Sequence, residues 1–187
     1  PMFHEIGKAF IEEQTKAYGT DHFYSADTFN ENNPVSNEPE FLDAIGKTIY
    51  RSMAAADPEA TWVMQGWMFV FNPDDPGFWQ REQKQALLQS IPAGRFIILD
   101  LFCDVKPQWK ENEAFFGQSW IWTFIHNAGG RRPMMGNLKV IAEDPPAALR
   151  DPERGMLVGM GMAPEGTEQN PVLYELGADM YWRVEAP

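Results

Sequence analysis

The sequence predicts an α/β fold of parallel strand–helix units. Three observations point to it. Short apolar runs alternate with amphipathic or capped segments along the chain, the rhythm of βα repetition rather than of separate blocks of strands and helices. The run Arg95–Phe102 is apolar almost throughout, which marks a strand covered on both faces. Two glutamates, Glu31 and Glu165, each follow a strand-like run and precede loop residues, Asn32-Asn33-Pro34 and Gly166-Thr167. Acids at the carboxyl ends of parallel strands are where α/β barrels place their chemistry.

Taken in order, residues 4–18 read as a helix with Ile6, Phe10 and Ala17 near one face, ended by Gly19. A strand at about 22–29 leads to Glu31. Asn37-Glu38-Pro39-Glu40 places an Asx cap three residues before an acid and opens a second helix. Its apolar positions Leu42, Ile45, Ile49 and Met53 recur at helical spacing. Thr61–Phe69 reads as the second strand. Asp75, with Pro76 at the first helical position, starts a helix to about Ser90. Arg95–Phe102 and Trp120–His126 are the third and fourth strands. A short helix near 135–143, a fifth strand at 156–162 and a last helix from about 170 to 182 complete the chain.

A complete eight-unit barrel needs about 250 residues, roughly 31 per unit. The 187 residues accommodate five units at about 37 each. The expectation is therefore part of a (β/α)8 barrel: residues 1–187 are the C-terminal portion of a larger barrel catalytic domain, with no second domain in the segment. Such a piece should form an open sheet with exposed apolar residues on its first and fifth strands. The alternative is a self-contained, five-stranded doubly wound sheet.

Composition excludes several functions. With 27 acids against 15 bases the net charge is −12, a field that repels phosphate backbones, so no nucleic-acid partner is expected. No run of eighteen apolar residues occurs and the first residues lack a signal-peptide pattern, so no membrane partner is expected either. The single cysteine, Cys103, excludes an internal disulfide framework and reads as a small buried hydrophobe. Seven Trp, thirteen Phe and five Tyr fill a core and also suit stacking against the apolar faces of sugar rings.

The residues at or just beyond the strand ends are Asn30 and Glu31, Trp67, Asp100 and Leu101, His126 and Asn127, and Glu165. Two carboxyls on one barrel rim are the equipment for cleaving a glycosidic bond. Retention needs them about 5–5.5 Å apart, one donating a proton to the leaving oxygen and one attacking the anomeric carbon. Asn30 either donates to a sugar substituent or caps its own turn. His126 is either a metal ligand with Asp100 and Glu165, as in barrel metallohydrolases, or a hydrogen-bonded rim histidine. Gly129-Gly130-Arg131-Arg132 is either a solvated turn or a contact to an acidic or sulfated substrate. A carbohydrate-binding or scaffold piece without turnover is the reading from a different class.

At these strand ends the sequence resembles the alpha-N-acetylglucosaminidase family, glycoside hydrolase family 89. The resemblance rests on Gly19-Thr-Asp-His22, Ala26-Asp-Thr-Phe-Asn-Glu31, Gln65-Gly-Trp67 and Leu99-Asp-Leu-Phe102. It continues through Ile121-Trp122, His126-Asn127 with Gly129-Gly130, Gly161-Met-Ala-Pro-Glu-Gly166 and Gln169-Asn170, and so spans essentially the whole chain in order. It implies an exo-acting, retaining enzyme of heparan degradation that removes terminal α-linked N-acetylglucosamine from a glycan, without metal or other cofactor. By matching position, Glu31 resembles the general acid/base and Glu165 the nucleophile, while Asn30, Trp67, Leu101 and Ile125 resemble residues lining the sugar pocket. Ala128 departs from the family pattern, which has an aromatic there. The resemblance further implies barrel strands before that of Glu31, a helical domain after the last strand, and a lysosomal, vacuolar or secreted location.

Overall fold

A computed structural model describes residues 2–187. Five strands, β1 (Phe23–Ser25), β2 (Thr61–Gln65), β3 (Phe96–Asp100), β4 (Ser119–His126) and β5 (Met156–Pro164), form one sheet in the order β1-β2-β3-β4-β5. Every neighbouring pair is parallel. The helices are α1 (Met2–Tyr18), α2 (Pro39–Ala56), α3 (Trp67–Val70), α4 (Arg81–Gln89), α6 (Leu138–Arg150) and α7 (Pro171–Met180). Between α4 and α6, α5 (Glu113–Phe116) is a single left-handed turn, all four residues at positive φ. Each crossover advances the chain by one strand in the same direction. Right-handed crossovers then put all helices on one face, the arrangement of a barrel arc. A doubly wound sheet reverses its strand order partway and is not what forms.

Each strand presents alternate residues to two different surroundings. Trp62, Met64, Phe96, Ile98, Trp120, Trp122 and Phe124 are fully buried beneath the helices. Trp109 stacks on Trp120 at 5.3 Å, Tyr181 meets Trp122 edge-on at 6.1 Å, and Tyr174 lies 5.8 Å from Phe124. Each such aromatic contributes on the order of 2–3 kcal/mol of burial, so this side of the sheet holds the fold together. The intervening residues Val63, Ile97, Leu99 and Ile121 are only partly covered, because they face the concave side. Val158 is an extra residue in β5: Trp120 pairs with Leu157 but Ile121 pairs with Gly159. This bulge bends the edge strand.

Several predicted boundaries move. The first strand closes at Ser25 and the second at Gln65, where Gly66 donates to Leu99 O at 2.8 Å. The residues beyond turn away as loops or as α3, because they have left the ladder. Asn37 does not cap α2: Glu38 occupies the cap position, with Pro39 starting the helix. The helix expected at Asp75 begins at Arg81, since Asp75 instead closes a turn through Gly77 N–H at 2.9 Å. Conversely, α6 continues to Arg150 through Pro145 and Pro146, which usually end a helix. Both prolines are buried, so packing overrides their propensity. In α1 the buried residue is Ile11, while Ile6 and Phe10 are exposed. Gly7 sets this rotation, for a Cβ there would lie 2.6 Å from Ser52 Oγ.

The exposed apolar side of α1 and the outer strands belong to the same feature. Phe3, Ile6 and Phe10 on α1, Phe23 on β1, and Met156 and Val158 on β5 are all more than half exposed. Both β1 and β5 hydrogen-bond to a strand on one side only. Five strands do not close a barrel at the usual strand number and tilt. Expressed alone, residues 1–187 are expected to aggregate or stay poorly folded through these unpaired edges. Size-exclusion chromatography with chemical denaturation checks this, and a soluble monomer that unfolds cooperatively would contradict it.

Candidate active site

The loops after all five strands meet at one end of the sheet and enclose a cleft of about 560 Å³. Asn30, Glu31, Trp67, Leu101, Ile125 and Glu165, which come from every strand end, all line it. These six share a single cavity, whereas the other strand-end candidates Asp100, His126 and Asn127 do not line it. Ala128 lines it as well and presents only a methyl group to that wall. A second cavity of similar size lies on the open β1 side, between Phe3, Phe29, Phe41 and Ile45. It is almost wholly apolar and has no convergent acids, so it is not the site.

Glu31 sits on a turn closed by Asn32 N–H to Phe29 O at 2.6 Å, with Asn30 at positive φ. The Phe29 ring lies 5.9 Å from Trp79 and anchors this turn in the core. The Trp67 indole N–H donates to Glu31 Oε1 at 3.0 Å, and Asn72 donates to Asn33 Oδ1 at 2.5 Å. These two contacts bind the β1 loop to the β2 loop. Trp67 in turn packs against Phe71 and Phe102 at 5.9 and 5.6 Å. The indole that holds Glu31 is therefore itself held.

Glu165 is set differently. Its backbone N–H continues the sheet ladder to His126 O at 3.2 Å, and its Oε2 accepts the Gly129 N–H at 2.6 Å. Gly129 and Gly130 both have positive φ, which glycine adopts without a Cβ penalty. Gly166 follows because a Cβ there would lie 2.1 Å from Asn127 Nδ2 and 2.8 Å from Gly130 Cα. Two glycine-bearing loops thus pass close enough for an amide of one to reach the carboxylate of the other.

The metal trio of Asp100, His126 and Glu165 is not brought together. Asp100 points beneath the sheet, where Oδ2 accepts the Gln108 and Trp109 N–H groups at 2.9 and 3.0 Å. His126 is a hydrogen-bonded histidine, its Nδ1 2.6 Å from Gln169 Oε1 and its Nε2 3.0 Å from Met135 O. Among the described residues no three acids, histidines or cysteines converge to hold a metal ion. Asp100 is instead a loop cap that seats Trp109 on Trp120. Burial pushes its carboxyl up to about 6, against the opposing effect of the Gln108 amide. Cys103 is buried beside it and its thiol is pushed well up by the same desolvation, as suits a small core residue.

Five further residues reach the cleft. Asp27, Gln65, Phe71, Gly129 and Arg131 also line the cavity. Burial raises the Asp27 carboxyl, partly offset by the Asn30 N–H. A count from the strand end at Ser25 would have included Asp27. Gly129 contributes through its backbone, which no side-chain pattern reveals. Of the two arginines in the loop, Arg131 faces the cleft, whereas Arg132 turns to Met135 Sδ at 3.4 Å.

A singly wound parallel sheet whose five strand-end loops meet over one cleft, with Glu31 and Glu165 from two of them, has the arrangement of the carboxyl-terminal face of a (β/α) barrel. The chain belongs to the alpha-N-acetylglucosaminidase (NAGLU) TIM-barrel domain family, whose model matches residues 1–184. It is 44% identical over 185 residues to alpha-N-acetylglucosaminidase of Homo sapiens, covering 99% of this chain and 24% of that protein. The fold superimposes, with a TM-score of 0.80 and 29% identity, on a family 89 glycoside hydrolase from Clostridium perfringens in complex with 2-acetamido-1,2-dideoxynojirmycin. A variant of that enzyme with two glutamates replaced by glutamine, in complex with its substrate GlcNAc-alpha-1,4-galactose, matches with a TM-score of 0.80 and 28% identity. The whole of this chain corresponds to 19% of each of those chains. These relatives are glycoside hydrolases, and the five βα units described above are part of the barrel domain they share.

Asp100 gives a test of the loop cap. Asp100→Asn keeps one oxygen for both amides and removes the titrating carboxyl. A carboxyl raised in the folded state favours folding below its unfolded value, and that contribution is lost as pH rises through about 6. Thermal melts of the full-length protein should therefore show the variant gaining on wild type between about pH 4 and 6, by up to roughly 3 kcal/mol. A pH-independent difference would place Asp100 in a more solvated setting.

Proposed function

We propose that residues 1–187 form the C-terminal portion of a barrel catalytic domain whose full-length protein is a retaining exo-glycosidase. Its substrate on this reading is a glycan ending in α-linked N-acetylglucosamine. Glu31 acts as general acid/base and Glu165 as nucleophile. The observation that carries the reading is the presence of both glutamates, each fixed by an N–H donor, in one cleft walled by Trp67. The related double glutamate-to-glutamine variant, in complex with GlcNAc-alpha-1,4-galactose, supports a substrate of this sugar class and a site that uses two glutamates.

In the first step an oxygen of Glu165 attacks the anomeric carbon while Glu31 gives its proton to the departing glycosidic oxygen. The Gly129 N–H already occupies Glu165 Oε2, so Oε1 is the atom free to bond the sugar. The Trp67 N–H likewise occupies Glu31 Oε1 and leaves Oε2 to carry the proton. In the second step Glu31, now ionised, takes a proton from water as that water displaces Glu165. The sugar leaves with its original configuration and both carboxyls return to their starting states. Leu101 and Ile125 supply apolar walls, and Asn30 a polar group at the cleft edge. The remaining barrel strands and a helical domain, supplied by the rest of the protein, complete the pocket. A lysosomal, vacuolar or secreted location accompanies this reading, and imaging of the tagged full-length protein tests it.

The two glutamates should separate kinetically in the full-length enzyme. Glu165→Ala should remove turnover of every α-N-acetylglucosaminide, with no covalent intermediate detectable by intact mass. Glu31→Ala should lose activity according to the leaving group: an activated aryl glycoside still glycosylates Glu165, whereas a sugar leaving group hardly reacts. Azide should then restore turnover of the trapped Glu31→Ala intermediate, because a small anion needs no general base. Identical responses of the two variants to leaving group and azide would overturn the assignment. Sugar binding by the unmutated full-length protein without any turnover would favour a binding module.

A further inference from the structure

Resting on the proposed role of Glu165, we infer that Asn127 is its positioning residue: the Asn127 side chain staples the loop after β4 to the loop after β5, and so holds the Gly129 N–H against the Glu165 carboxylate. Asn127 is 4% exposed, although it lies at the end of β4 between the loop that holds Gly129 and Gly130 and the loop that holds Gly166. Its amide is fully committed. Oδ1 accepts the Arg132 N–H at 2.7 Å, within its own loop, and Nδ2 donates to Glu168 O at 2.8 Å, across to the other loop. No residue but asparagine offers an acceptor and a donor at one short, planar terminus and also tolerates positive φ.

The backbone of Asn127 matters as much as its amide. Its φ of 54° reverses the chain directly after the buried β4 residue His126, and Gly130 N–H closes the turn onto Asn127 O at 2.7 Å. That turn is what aims the Gly129 N–H outward at Glu165. On the other side, Glu168 is three residues beyond Glu165, so the Nδ2 bond fixes the stretch 165–168 at both ends: the ladder bond from Glu165 N–H to His126 O, and the staple at Glu168 O. Gly166 between them has its Cα face against the Asn127 amide, where even a methyl group would collide. The neighbouring contact of His126 with Gln169, which also takes the Tyr174 hydroxyl at 2.5 Å, braces the same pair of loops one layer deeper. Asn127 differs from this deeper contact in bonding directly to the segment that carries Glu165, through Glu168 O.

Double-displacement chemistry makes this staple matter. The nucleophile must lie within near-attack distance of the anomeric carbon, and a misplacement of about 1 Å costs on the order of 10²-fold in rate. Sugar binding depends on other walls of the cleft, so loss of the staple should appear in kcat and spare KM. The test uses the full-length enzyme, an activated aryl α-N-acetylglucosaminide and three variants. Asn127→Asp keeps the acceptor and sets an anion against Glu168 O, Asn127→Ala deletes the amide, and Asn127→Gly deletes it while easing positive φ. Each should lose about 10²-fold in kcat with KM within about twofold of wild type.

A merely structural role is separated by the second nucleophile. In Glu165→Ala, azide added as an external nucleophile should form the β-glycosyl azide, and adding Asn127→Gly to that variant should leave the azide-dependent rate unchanged. Coupling of this kind means that Asn127 acts through Glu165. If Asn127→Gly retains wild-type kcat, or lowers the azide-dependent rate as much as it lowers normal turnover, the staple is not a positioning device for Glu165. If Glu165→Ala itself keeps wild-type turnover, the nucleophile assignment falls first, and this inference with it.

Discussion

The ladder between β4 and β5 is the constraint on which the rest of the site depends. It is the longest pairing in the sheet, from Ser119 with Met156 to His126 with Pro164, and it runs to the last residue of each strand. Because the pairing persists to the end, the loops leave side by side and in register. Glu165 enters its loop still bonded to His126 O. The Val158 bulge lies upstream and settles which β5 residues face the helices: Met160 and Met162 then fall opposite Trp122 and Phe124, while Gly159, Gly161 and Ala163 fall on the concave side. Small residues there leave the sheet interior open beneath the cleft. A slip of one residue would turn the methionines inward and carry Glu165 away from the Gly129 amide.

The same two-faced logic explains why adjacent residues at a strand end have unrelated roles. Asp100 and Leu101 are neighbours in sequence, yet Asp100 is buried under the sheet as a cap for two amides and Leu101 lines the cleft. His126 and Ile125 divide in the same way, one bonded to the helix-side loop and the other facing the cavity. Proximity to a strand end therefore does not identify a site residue. Within the strand parity decides, and beyond it the path of the loop decides, so that Asn30 and Glu31 line the cleft together.

This is also where sequence reading succeeded and where it stopped. Five strands, their order of appearance and the convergence of six strand-end residues on one cleft are legible, because apolar runs and terminal acids are local signals. The sheet's parallel pairing followed from βα alternation. Strand ends were less legible: nothing in Thr61–Phe69 announces that the ladder stops at Gln65, since Trp67, Met68 and Phe69 are apolar for reasons of cleft and core rather than pairing. The helix expected near 135–143 extends to Arg150, since burial of Pro145 and Pro146 outweighs their low helix propensity. The orientation of α1 was misread for a related reason. Ile6 and Phe10 are more hydrophobic than Gly7, but close approach to Ser52 is available only at the glycine. Metal candidates Asp100 and His126 looked plausible as residue types and failed on direction, which only parity and loop path disclose.

The two carboxylates differ in how they are held, and on the proposed reading that difference matches their tasks. Glu165 must remain ionised, attack, and be displaced without moving, and its donor is a backbone N–H locked between two stapled loops. A backbone donor has no rotamer to change. Glu31 must give up a proton and later regain it, and its donor is the indole of Trp67, which touches only one of its oxygens. A single donor leaves the second oxygen to exchange the proton with the leaving group and with water. Trp67 is braced by Phe71 and Phe102 rather than by hydrogen bonds, so apolar packing sets the position of the acid while leaving its chemistry free. The nucleophile is fixed by backbone and the acid by an aromatic wall. That division requires a glycine-rich loop after β4 and β5 and an aromatic-rich loop after β2 and β3, which is the distribution this sequence has.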